Sequence, residues 1–457
     1  KSRRFVVISA HDHTTSEVRL VDASVIDTIP VLVAPRERDV EYDVSHHGDR
    51  LLILTNADGA EDFKIVEAPL TNPGRANWTD WQPHEAGTLI RSVVAFAGHV
   101  VRLERIDGLP RIVVTELASS EEHAIEFDEE AYELGILPGH KFNTTTLRFT
   151  YSSMTTPQRT YDYNMASRTR TLRKEQEVPS GHDPASYVTR RMFVESHDGA
   201  RVPISVLHRI DTTIDGTAPC MLYGYGSYGM SMPASFSPNR LSLVDRGFVY
   251  AIAHIRGGTE RGYGWYTAGK LMNKRNTFED FIAAGEHLAQ AGYTARGEIA
   301  IHGGSAGGML VGAAVNMRPD LFRAVIAEVP FVDVLNTMCD KELPLTPPEW
   351  PEWGNPIEDK ASYDNIRSYS PYDNIVAQSY PAMLVTAGLT DPRVTYWEPA
   401  KWVARLRALK TDDNPILLRT NMEAGHGGAA GRFDRLGEVG LAYAFVLIAF
   451  GRTSPNC

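Results

Sequence analysis

Cysteine is scarce in this chain. There are three in 457 residues, Cys220, Cys339 and Cys457, and no CxxC pair. That spacing argues against a disulfide framework and fits a reducing, cytoplasmic setting. Long apolar runs are also missing. A membrane-spanning helix needs ~18–20 apolar residues, and the longest C-terminal candidate, Leu441 to Phe450, is too short. The opening Lys1-Ser2-Arg3-Arg4 has no Met and no apolar h-region, so no signal peptide is visible. Positive charge is in deficit, with 46 Lys and Arg against 57 Asp and Glu, a formal net charge of −11. Nucleic acid is therefore a poor partner, because phosphate backbones need a basic surface. Cationic substrates are compatible, although most of this charge is ordinary solvated surface. What is present, 43% hydrophobic and 23% charged residues, is the composition of a globular protein. At roughly 150 residues per domain, two or three domains are expected.

The chain changes character near residue 180. Before it, short Val/Ile/Leu/Tyr-rich runs alternate with turn clusters, and no long helical period appears. A strand phrase recurs at Phe5, Leu52, Val100 and Leu147, in steps of 47, 48 and 47 residues. That period, with about four strands per unit, is the signature of a β-propeller; a β-sandwich with coincidental spacing is the competing reading. Residues 176–185 form a Pro/Gly-bearing hinge. Beyond it strands and helices alternate, the pattern of an α/β domain with a largely parallel sheet. The expected division is 1–178 and 179–457. A helix is expected over 277–291, with Thr277 as its cap and Asp280 completing a capping-box-like pair.

The sharpest motif is Gly303-Gly304-Ser305-Ala306-Gly307, a G-x-S-x-G between an apolar strand and a small-residue helix. A nucleophile elbow needs those glycines, because the turn is tight and bulky neighbours would collide with strand and helix. It exposes the Ser305 hydroxyl and aims the Ala306 backbone N–H at a reacting carbonyl oxygen. A serine nucleophile needs a base, and the base an orienting acid, in the order Ser, acid, His. Only one of the 15 histidines follows Ser305, namely His426, between two glycines. Ten Asp follow Ser305, and Asp391 is the best placed, at the exit of the apparent strand 382–390. Asp333 could instead cap a helix or line the pocket.

Gly224-Tyr225-Gly226-Ser227-Tyr228-Gly229 matches G-x-G-x-x-G after a strand, a weak dinucleotide signal. Tyr228 is bulky in the turn, and Pro233 and Pro238 oppose a following helix. A loop over the active site fits better, with a Tyr hydroxyl as second oxyanion donor. The pairs His11/His13 and His46/His47 lack metal-site context and read as surface loops. No metal or cofactor is implied.

With these residues in view, the chain resembles the prolyl oligopeptidase family of serine peptidases, and within it the oligopeptidase B branch. The likeness runs through Tyr223–Gly229, His254-Ile255-Arg256-Gly257-Gly258, Lys274-Arg275-Asn276-Thr277-Phe278, Gly303–Gly308, Val329–Val334, Glu352-Trp353-Gly354-Asn355-Pro356, Asp391-Pro392-Arg393-Val394, Tyr396–Trp402 and Gly425-His426-Gly427. The resemblance implies an α/β-hydrolase catalytic domain capped by a seven-bladed propeller, of which this chain would hold only the C-terminal part. It implies a triad of Ser305, Asp391 and His426, an oxyanion hole of Tyr225 and Ala306, and substrate-backbone binding by Arg393. It further implies cleavage of short basic peptides after Arg or Lys, with Glu349 as the carboxylate for that side chain.

Two departures modify the expectation. The family's second acid, two residues after Glu349, is here Pro351. Acids favouring a further basic residue would fall near Pro233 and Ser235. Basic P1 preference with only a weak dibasic preference is expected. An esterase or acylaminoacyl peptidase on the same scaffold is the alternative, and a propeller binding scaffold with an inactive hydrolase domain is another. Only four repeats are visible, so a fragment, a processed chain, or a separate N-terminal part of the same protein as partner is expected.

Overall fold

The computed structural model describes residues 2–25 and 27–453; Cys457 lies outside them. The chain forms two units, one of residues 1–179 with 260–264, the other of 180–259 with 265–457.

The first unit consists of antiparallel sheets in succession. The first has three strands, Phe5–His11, Ser16–Asp22 and Val31–Ala34. The next runs Tyr42–His47, Arg50–Thr55, Lys64–Pro69 and Thr79–Gln82. Two more four-stranded sheets follow over residues 88–124 and 132–175. Strand alternation explains how they stack. Leu51 and Ile53 face back to Val18 and Leu20 of the first sheet. Leu52, between them, faces forward to Ile90 and Val100 of the third. Val101 and Val114 of the third then pack on Leu147 and Phe149 of the fourth. Each inner sheet is thus buried on both faces by its sequence neighbours. A two-layer sandwich would bury one face only, so these are successive propeller blades.

The second unit is built on an eight-stranded sheet. Its strands are β1 (Tyr187–Glu195), β2 (Arg201–Arg209), β3 (Cys220–Tyr223), β4 (Val249–Ala253), β5 (Ile299–Gly304), β6 (Phe322–Glu328), β7 (Ala382–Gly388) and β8 (Ile416–Asn421). They lie in the order β1-β2-β4-β3-β5-β6-β7-β8. The β1–β2 and β2–β4 pairs are antiparallel and the rest parallel. This is the α/β-hydrolase arrangement. The central strands are continuous apolar runs, as burial on both faces requires. Helices α1 (Arg275–Gln290), α2 (Ala306–Met317), α3 (Thr346–Trp353), α4 (Trp397–Leu409) and α5 (Arg432–Ala449) flank the sheet or its loops. Helix α2 is apolar almost all round and buried through Val315.

Three local expectations differ from the structure. Helix α1 starts at Arg275, and Thr277 is not its cap; its hydroxyl donates to the carbonyls of Arg256 and Gly269. Asp280 instead accepts from the Arg256 guanidinium at 2.8 and 2.6 Å. Pro238 does not oppose a helix but opens one, Pro238–Val244, at a first-turn position where a missing N–H costs nothing. His11, His46 and His47 end strands rather than sitting in loops. Cys220 is buried and Cys339 exposed, both free thiols. Among the described residues no helix is long and apolar enough to cross a membrane.

Candidate active site

The sheet delivers its loops at the carboxyl ends of β3, β5, β7 and β8, the edge where open α/β sheets bind ligands. Ser305 sits between β5 and α2 with φ 56° and ψ −121°, a conformation that non-glycine residues rarely adopt. Its surroundings hold it there. The Ser305 N–H donates to Glu328 O, and its carbonyl accepts from Gly308, Met309 and Phe331. The elbow glycines have no room for a side chain. A Cβ on Gly303 would stand 2.0 Å from Gly307 O, and one on Gly308 would stand 2.4 Å from Pro330 Cβ. Ala306 is the first residue of α2, so its N–H belongs to the group that a helix leaves without an intrahelical acceptor.

His426 lies in the loop after β8, and its Nδ1 donates to Asp391 Oδ2 at 2.7 Å. Asp391, in the loop after β7, is buried. Its other oxygen accepts from the backbone N–H groups of Arg393 and Val394 at 2.8 and 3.0 Å. Burial opposes its charge, yet the His426 bond and the two backbone donors outweigh burial and hold the carboxyl below its usual range. With Nδ1–H given to Asp391, the His426 Nε2 is left to accept a proton.

Tyr225 gathers the remaining groups. Burial, reinforced by the charges of Glu352 and Glu349, pushes its phenol up to about 12. The Ser305 hydroxyl and the Arg393 guanidinium act on it in the opposite sense. The phenol therefore stays protonated, a hydrogen-bond donor beside Ser305. Arg393 itself is exposed.

Glu349, on α3, is half-buried. Its Oε2 accepts from the Tyr228 hydroxyl at 2.7 Å and the Trp353 indole at 3.0 Å. Among the described residues its Oε1 has no hydrogen-bond partner. Pro351 lies inside the same helix. Asp333 makes no capping bond with its side chain; it accepts from Asn336 at 2.6 Å and pairs with Lys401.

Several residues here fall in stretches that carry the family likeness, yet no role for them is legible in the sequence. Glu352 is 3% exposed and accepts from Tyr228 N–H at 2.9 Å and from the Tyr266 hydroxyl at 2.6 Å. Lys274 is fully buried beneath the Tyr225 loop. Glu398 is buried and joins the segment after β6 to α4, accepting from Asp333 N–H at 3.0 Å and the Thr337 hydroxyl at 2.7 Å.

Residues 234–453 match the prolyl oligopeptidase family, and residues 1–176 match the prolyl oligopeptidase N-terminal beta-propeller domain. The chain is similar to the dipeptidyl aminopeptidase BI of Pseudoxanthomonas mexicana, 47% identical over 99% of this chain and 62% of that protein. It is also similar to Protease 2 of Moraxella lacunata, 40% identical over 99% of this chain and 64% of that one. The solved structure of oligopeptidase B from Leishmania major superposes with a TM-score of 0.94 at 41% identity, covering 99% of this chain and 64% of that chain. Oligopeptidase B from Trypanosoma brucei, with covalently bound antipain, gives 0.93 at 42% identity, covering 98% and 64%. The chain thus spans less than two thirds of the length of these relatives. Two matched domains in the same order, over a sheet of hydrolase topology with Ser305 at its elbow, make this chain a member of the prolyl oligopeptidase family of serine peptidases.

Proposed function

We propose that this chain carries the catalytic unit of a serine oligopeptidase that cleaves short peptides on the carboxyl side of Arg or Lys. The observation that carries the proposal is the 2.7 Å His426–Asp391 pair at the sheet edge that presents Ser305 in its strained elbow. The Ser305 Oγ attacks the scissile carbonyl while His426 Nε2 takes its proton. Asp391 fixes the imidazole and stabilises its charged form. The oxyanion receives the Ala306 N–H and the Tyr225 phenol. His426 then gives its proton to the leaving amine, and water hydrolyses the acyl-enzyme by the reverse roles. Arg393 donates to a substrate backbone carbonyl. No metal or cofactor enters any step.

The P1 preference rests on Glu349. A carboxylate with one oxygen held by two donors and the other open is preorganised for a cation. A peptide guanidinium or ammonium is its complement. With Pro351 where a second acid would stand, paired basic residues gain little over a single Arg, less than the tenfold that ~1.4 kcal/mol allows.

A second reading is favoured by the likeness to a dipeptidyl aminopeptidase: release of dipeptides from a free amino terminus. Amino-terminal acetylation separates the two. Acetyl-blocked arginyl amides are turned over by the endopeptidase and refused by the aminopeptidase. An esterase or acylaminoacyl peptidase differs again, since it needs no Glu349. Labelling by a fluorophosphonate, lost in Ser305→Ala, tests the nucleophile; an unlabelled chain would favour a binding scaffold.

A further inference from the structure

A lysine with no exposed surface is costly, because its charge must leave water. Lys274 is such a residue, at 0% exposure just ahead of α1. Its Nζ donates to Gly226 O at 2.6 Å and to Ser227 Oγ at 2.9 Å. It also lies 5.1 Å from the Trp353 ring centroid, a cation–π distance. Burial pulls its amine down to about 8, with the Glu352 carboxylate opposing, so the group is mostly charged at neutral pH.

The two acceptors lie between the two tyrosines that matter. Tyr225, just before them, faces Ser305. Tyr228, just after them, holds Glu349 through its hydroxyl and Glu352 through its N–H. The loop holds one non-glycine residue in a strained conformation. Gly226 has φ +74° and Tyr228 φ +58°, both in the left-handed region. Tyr228 there is strained, and strain of that kind persists only when the surroundings impose it.

We propose that Lys274 is a positioning residue for both halves of the site: by clamping Gly226 and Ser227 it sets the Tyr225 phenol over the oxyanion and, through Tyr228, the Glu349 carboxylate that receives the P1 side chain. The proposal rests on the serine-peptidase reading above. Lys274 touches no substrate. It couples oxyanion stabilisation to side-chain recognition, two properties that are otherwise carried by separate elements.

The test uses the full chain with Lys274→Met, titrated to completion with a fluorophosphonate so that rates refer to reactive Ser305 alone. With an acetyl-arginyl amide, kcat falls by about tenfold or more, the scale of a displaced oxyanion donor, and KM rises. With a small neutral ester the loss in kcat persists while KM stays unchanged, because no P1 charge is bound. Titrated Lys274→Met with wild-type kcat and KM on both substrates overturns the proposal and leaves Lys274 a core residue. Should that variant fail to fold, Ser227→Ala removes one of the two acceptors and keeps the lysine. It lowers kcat on both substrates by a smaller factor; an unchanged kcat overturns the proposal equally. A wild-type chain that the fluorophosphonate does not label instead defeats the serine-peptidase reading, whatever Lys274 does.

Discussion

The chemistry of single side chains here follows from which charges are near them. Tyr225 is half-buried beside two carboxylates, so its proton is held to about pH 12 and is available to donate throughout the working range. Tyr225→Phe removes that donor alone. On an arginyl amide it lowers kcat by about 100-fold and leaves KM nearly unchanged, as expected of a group that acts only in the transition state; steady-state kinetics measure both. Glu349 acts the other way. Glu349→Gln leaves the hydrolysis of a small neutral ester intact and lowers kcat/KM for an arginyl amide by about 2–5 kcal/mol, the range for truncating one partner of a buried charge pair. Equal losses on the two substrates would remove Glu349 from P1 recognition. The proposed triad is legible in the sequence because each member carries a local mark: Ser305 its glycines, His426 its solitary position, Asp391 a strand exit. Lys274 opens one of the family stretches but carries no mark of its role. Its partner Gly226 lies 48 residues away, and an isolated lysine before a helix reads as surface.

At the scale of elements, the loops at the sheet edge are held by buried polar groups as well as by their own turns. Glu398, the first-turn acid of α4, shows the consequence. Burial, only partly offset by the Thr337 and backbone donors, raises its carboxyl to about 7 from an ordinary 4.5. Between those values the folded protein keeps a proton that the unfolded chain has released, so stability falls as pH rises through that window. Glu398→Gln cannot titrate. Denaturation from pH 4 to 8 therefore shows the wild type losing up to about 3 kcal/mol relative to this variant; parallel curves would contradict the assignment. The elbow is equally exacting. Gly308→Ala puts a methyl group against Pro330 and costs about 1–3 kcal/mol of stability, the range for overpacking. Glycine spacing is local and so could be read directly. The capping box at Thr277 and Asp280 was a local inference that long-range pairing overrode. Asp280 neutralises Arg256, 24 residues earlier, and a sequence pattern holds no trace of that pairing.

At the scale of the molecule, the two units have separate apolar cores. Ile301 lies in the core of the hydrolase unit and Val114 in a core between blades. Unfolding should depart from two-state behaviour, with a calorimetric enthalpy above the van't Hoff value. Ile301→Ala and Val114→Ala should lower different transitions; one shared transition moved equally by both would contradict this. The blade repeat was legible because four strands per unit impose a regular period. The first sheet has three strands, which the marker spacing alone did not reveal. Function at this scale depends on the P1 preference. The most direct measurement is a P1 scan with acetylated peptide amides that differ only at that position, run on titrated wild-type enzyme and on Glu349→Gln. Arg and Lys should exceed their neutral counterpart citrulline by about tenfold or more, a gap of ~1.4 kcal/mol, and Glu349→Gln should erase that gap. Equal or faster cleavage after citrulline, Ala or Pro by the wild type would contradict it.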